Sequence, residues 1–139
     1  MEILTAKHYS MREHPHYKLL GLSVGLVDSD SENRSFYQQK LEQANLLVRV
    51  YENLIELERG LGAVELHAVV YSPDVGHMDK EIRVLGKFIT NNPQLPVITM
   101  SKTMQEMQLD AIMKQGTRLH INRDLSHPRD LLVALEQVI

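Results

Sequence analysis

Residues 67–85 read HAVVYSPDVGHMDKEIRVL. His67 to Tyr71 is a continuous apolar run, the mark of a strand covered on both faces. Val75 to Asp79 reads as a loop. Ile82, Leu85 and, beyond the quoted stretch, Ile89 then recur at helical spacing until Asn91, Asn92 and Pro93 stop the helix. One buried strand, one turn and one amphipathic helix make the unit of a parallel sheet, because a parallel pair requires a long crossover.

The same unit repeats on either side. Upstream, LSVGLV at Leu22–Val27 is a strand, and Tyr37, Leu41 and Ala44 mark a helix over Ser31–Ala44. LLVRVY at Leu46–Tyr51 is the next strand. Asn53 with Glu56 three residues on is an N-cap pairing, and Gly60 and Gly62 end that helix. Downstream, LPVITM at Leu95–Met100 is a strand. Thr103-x-x-Glu106 reads as a capping box for a helix carrying Met107, Ala111 and Ile112, closed by Gly116 at C′. Arg118–Ile121 is the last strand. Pro128 sits in the first turn of a final helix with Leu131, Leu132, Leu135 and Val138 on one side. The expected fold is α/β: five parallel strands, each followed by a helix, with helices on both faces. Such sheets gather functional groups at the carboxyl ends of their strands. Asp28, Ser72, Ser101 and Arg123 therefore share one edge.

The chain has 139 residues, 43% hydrophobic and 24% charged, which suits one folded domain. Residues 1–20 are polar and read as an N-terminal extension, with the domain over 21–139. The net charge is −3, from 15 Lys and Arg against 18 Asp and Glu, without a basic block. Direct nucleic-acid binding by this segment is disfavoured. Cys is absent, which excludes disulfides, thiolate nucleophiles and Cys-based metal sites. The absence of a secretory signal or an apolar run of membrane length makes a cytoplasmic domain the expectation. His8, His14 and His16 are a local cluster without an acidic partner at ligand spacing, so a solvated arm is expected rather than a metal site.

Four segments, ungapped and in order, carry a resemblance. VGLVDSDSENRSFYQQKLEQA at 24–44, HAVVYSPDVGHMDKEIRVL at 67–85, LPVITMSK at 95–102 and GTRLHINRD at 116–124 are similar to the receiver domain of bacterial two-component response regulators. The resemblance covers residues 22–139. It implies a flavodoxin-like (βα)5 fold and a signalling rather than an enzymatic role. It also implies a site. The adjacent acids that help hold Mg²⁺ fall on Asp28 and Ser29, with Asp30 next. The phosphate-accepting Asp falls on Ser72. The hydroxyl after the fourth strand is Ser101, the aromatic switch position is His120, and the phosphoryl-contacting Lys falls on Arg123, with Asp124 after it.

Ser72 cannot form an acyl phosphate, and one carboxylate of the usual three remains. The expectation is a pseudo-receiver with Mg²⁺ binding weak or absent, in which Arg123 pairs with Asp28 and no phosphorelay chemistry occurs. Asp74 or Asp30 as alternative acceptor makes an atypical but phosphorylatable receiver the second reading. A small ligand-binding flavodoxin-like protein is the third, although no glycine-rich phosphate loop and no nucleophile elbow stand after the strands. Ser101 is read either as a switch hydroxyl or as a local backbone partner. His120 is expected half-buried in a short strand rather than a ligand or sensor. Met100, Met104, Met107 and Met113 divide between core and surface. By the resemblance, the last two helices and fifth strand are the surface for a protein partner or a homodimer, with an output domain possible beyond Ile139.

Overall fold

The computed structural model describes residues 16–139. His8 and His14 lie outside them. In chain order the elements are β1 (Ser23–Asp28), α1 (Ser31–Gln43), β2 (Leu47–Tyr51), α2 (Leu54–Gly60), β3 (Ala68–Ser72), α3 (Met78–Asn91), β4 (Val97–Ser101), α4 (Glu106–Lys114), β5 (Leu119–Asn122) and α5 (Pro128–Val138). The strands form one parallel sheet in the order β2-β1-β3-β4-β5. β3 and β4 are buried throughout, as their unbroken apolar runs require.

Two apolar layers sandwich the sheet. Val24, Leu26, Val70, Ile98 and Met100 meet Leu41 of α1 and Leu131 and Leu135 of α5. Val27, Val69, Tyr71 and Val97 meet Leu54 and Leu57 of α2, Leu85 and Phe88 of α3, and Ile112 of α4. The period-2 alternation of each strand assigns its side chains to the two layers. Leu132 and Val138 also rest against the α1/α5 layer, so most of the wide apolar set on α5 is spent inside the domain. Leu19, on a single 3₁₀ turn at Tyr17–Leu19, is fully buried in the same layer.

Local signals hold at several ends. Asp30 caps α1, accepting from Glu32 N at 2.9 Å and Asn33 N at 3.1 Å. Asn53 caps α2 through Glu56 N at 2.8 Å. Gly116 has φ +109°, a left-handed conformation, and follows α4. Two expectations are corrected. Val75–Asp79 is no open loop: Val75–His77 is a 3₁₀ turn capped by Asp74, and α3 begins at Met78. Thr103 and Glu106 form no capping box. Gln105 is the N-cap of α4, and its N–H donates to Gln108 Oε1 at 3.4 Å. Thr103 is taken by Asp124 instead, which accepts from Thr103 N at 2.8 Å and from its hydroxyl at 2.9 Å. The Asp124 carboxylate thus holds both the N–H and the hydroxyl that a cap with Glu106 would have used.

Candidate functional site

β1, β3 and β4 all end at the same edge, and their last residues are Asp28, Ser72 and Ser101. Parallel pairing sets Asp28 directly opposite Ser72. Arg123 follows β5, and its N–H donates to Ser101 O at 2.7 Å. The four side chains expected at one edge thus do meet there. They line a cavity of about 280 Å³ together with Ser29, Asp30, Asn33, Asp74 and Lys102.

Asp28 is 5% exposed. Its Oδ1 accepts from Asp30 N at 2.9 Å, and Arg123 Nη1 lies 3.5 Å from its Oδ2. Burial pushes the Asp28 carboxyl above the usual carboxylate range, held back by the Asp30 amide and the Arg123 guanidinium. Ser72 is 6% exposed, and among the described residues its Oγ has no hydrogen-bond partner in good geometry. Its hydroxyl also favours the charged form of Asp28, less than the Asp30 amide and Arg123 do. An unsatisfied buried hydroxyl is costly.

Asp30 and Ser29 are exposed. Asp30 Oδ1 is committed to capping α1. Asp74 borders the cavity, but its Oδ1 accepts from Gly76 N at 2.9 Å and its Oδ2 lies 3.8 Å from His77 Nε2. Its own N–H donates to Glu81 Oε1 at 2.7 Å. Asp74 is therefore an N-cap with both carboxylate oxygens turned to its own turn.

Ser101 Oγ donates to Lys102 O at 2.8 Å, the local backbone bond expected of a Ser after a strand. It also lies 3.4 Å from His120 Nε2. The other ring nitrogen of His120, Nδ1, is 2.8 Å from Thr99 Oγ1. His120 is half-buried, as expected, and burial holds its imidazole below the usual value.

Two contributors escaped the sequence reading. Arg34 Nη1 donates to Asp28 O at 2.7 Å, tying α1 to the end of β1. Nothing in the sequence singles Arg34 out. Thr99 is fully buried and sits opposite His120 in register. A lone polar residue inside LPVITM was the available signal for it.

No protein-family model matches the sequence. No curated protein matches it either. Solved structures do match the backbone. A response regulator from Thermotoga maritima superposes with TM-score 0.74 at 18% identity, covering 86% of this chain and 98% of that one. The chemotaxis protein CheY4 of Vibrio cholerae gives 0.73 at 13% identity, covering 86% and 99%. A CheY-like receiver domain protein from Methanospirillum hungatei gives 0.71 at 18% identity, covering 84% and 92%. The fold is that of a receiver domain.

Receiver folds raise the question of Mg²⁺, which takes near-octahedral oxygen ligands, usually one or two carboxylates with waters and phosphate oxygens. The residues here do not fit it. Asp28 gives Oδ1 to the Asp30 amide and faces a guanidinium with Oδ2, while Ser29 and Ser72 supply only neutral hydroxyls. Among the described residues no group of three His, Asp or Glu side chains is placed to hold a metal ion. Among them, too, no helix is long and apolar enough to cross a membrane.

Proposed function

We propose that this chain is a pseudo-receiver: a signalling domain that works through protein contacts, without aspartyl phosphorylation. One observation carries the reading. Ser72 closes β3 directly opposite Asp28, at the place where a receiver presents its acceptor carboxylate. A hydroxyl there cannot form an acyl phosphate, and phosphoryl transfer also needs a cation to neutralise developing charge. Arg123 supplies Asp28 with a fixed positive partner in place of an exchangeable ion. The edge is thus compatible with a charge-balanced resting state that needs neither phosphate nor metal.

The test is incubation of the whole chain with acetyl phosphate, or with beryllofluoride and Mg²⁺, followed by intact mass and amide NMR spectra. Unchanged mass and unchanged amide shifts are expected. A stoichiometric adduct on any Asp overturns the reading. The second reading, an atypical phosphorylatable receiver, rests on Asp74 bordering the same cavity. It requires labelling that disappears in Asp74→Ala or Asp30→Ala.

Partner contact is assigned to the side formed by α4, β5 and α5. Met107 is 81% exposed on α4, and Leu125 is 84% exposed just before α5. Two large apolar side chains that open to water are candidates for burial by a partner or a second copy. Met107→Glu with Leu125→Glu should abolish any self-association measured by sedimentation. Unaltered association would move the interface elsewhere.

A further inference from the structure

A second concavity lies away from the strand ends, in the groove between α1 and the start of α5. Its volume is about 540 Å³, within the range of small-molecule sites. Phe36, Ala44 and Leu132 give it an apolar floor, and Lys40, Arg129 and His127 surround them. Phe36 is 44% exposed although its ring is large and apolar. Among the described residues no carboxylate lines the groove. Two acids of α5 are engaged elsewhere: Glu136 pairs with His16 at 2.8 Å, and Asp130 accepts from His127 N at 2.8 Å. Among the described residues, Lys40 and Arg129 have no carboxylate partner. Lys40 Nζ instead stands 5.4 Å over the Phe36 ring. The N-terminal end of the eleven-residue α5 adds positive potential at the same place.

We propose that this groove binds a small amphipathic carboxylate, with an aromatic or acyl body on Phe36 and Leu132 and its carboxylate between Lys40 and Arg129. An apolar floor with unpaired cations of one sign selects such a ligand over a neutral or cationic one. A neutral apolar molecule gains the floor and leaves both cations unanswered. An inorganic anion meets the cations and leaves the floor wet. Arg129 can grip a carboxylate with two parallel N–H groups, whereas Lys40 acts as a point charge. The site is independent of the chemistry at Ser72, so it stands whether or not the chain accepts phosphate.

The experiment is an amide NMR titration of the whole chain with 2-naphthoate and, separately, with its neutral isostere 2-naphthamide. Saturable shifts are expected at Phe36, Ala44, Arg129 and Leu132, with naphthoate bound about tenfold more tightly than naphthamide, the worth of one charge-assisted contact. The double variant Lys40→Gln, Arg129→Gln should bind naphthamide as the parent does and lose the preference for naphthoate. That readout separates a lost contact from a lost fold. Equal affinity for the two probes, a preference that survives the double substitution, or shifts confined to the Asp28–Ser72 edge overturns the proposal. So does movement of the same groove amides on dilution, or on deletion of residues 1–15, without any probe. Those results would mean that a second copy or the chain's own N-terminal segment fills the groove.

Discussion

Among the described residues no group bonds the buried Ser72 Oγ in good geometry. Removing it should relieve a penalty rather than break a contact. Ser72→Ala is expected to raise the unfolding free energy by about 1 kcal/mol, read from urea titration. The opposite substitution, Ser72→Asp, sets a second carboxylate against Asp28 where burial already disfavours the charge. It should lower the melting temperature, and millimolar Mg²⁺ should restore part of the loss by neutralising the pair. Unchanged melting in Ser72→Asp would mean that the two side chains do not share an environment. His120 makes a pH prediction. Burial keeps its imidazole below the ordinary value of a free histidine, about 6.5, so the unfolded chain takes up the proton first as the pH falls. Its contribution is therefore complete above that value and is lost as the pH drops through the window beneath it. Urea titrations at about pH 7.5 and about pH 5 should show a decline that is shallower in His120→Gln than in the parent.

At the scale of elements, turn chemistry decides where helices start and stop. Gly116 holds φ +109°, and a Cβ there would stand 3.0 Å from Ile89 Cγ2. Gly116→Ala should cost about 1–2 kcal/mol through strain at the end of α4 and its contact with α3. This glycine was legible in the sequence, because its role is local: it ends a helical period and nothing else explains it. The strand runs were legible for the same reason, each a short apolar stretch between breakers. Thr103 was not. Its sequence neighbourhood offers Glu106 as a reciprocal cap, but Asp124 arrives from the far side of β5, and its carboxylate competes for the same N–H and hydroxyl. The turn before α3 was misread likewise, since Asp74 caps it through Gly76 and hands its own N–H to Glu81 in the first turn of α3. The candidate site shows the same division. Asp28, Ser72, Ser101 and Arg123 could be placed at one edge by counting strand ends. The orphaned hydroxyl of Ser72 and the grip of Arg34 on Asp28 O depend on side-chain geometry that no spacing encodes.

For the whole molecule, the α1/α5 layer joins distant parts of the chain. Leu19 lies at one end of the described residues, Leu131 and Leu135 near the other, and all three are buried in one cluster. The turn that bears Leu19 is also pinned by His16 to Glu136 of α5. Leu19→Ala should cost about 2–5 kcal/mol, a loss visible in the urea midpoint, and a change within error would show that this turn is an ornament on the sheet. The arrangement has a consequence for how the protein is made. A ribosome delivers the strands in order, and β1, β2 and β3 can pair as soon as Ser72 has emerged. The layer over α2, α3 and α4 is then completed as each helix arrives. The cover of the opposite face, begun by Leu41 of α1, waits for α5, which follows every strand, to lay Leu131 and Leu135 over Val70, Ile98 and Met100. A nascent chain therefore carries a finished side and a greasy side until α5 is free. Chaperone contact during synthesis should fall on that second face, and a premature stop within α5 should yield chains that are degraded rather than partly active.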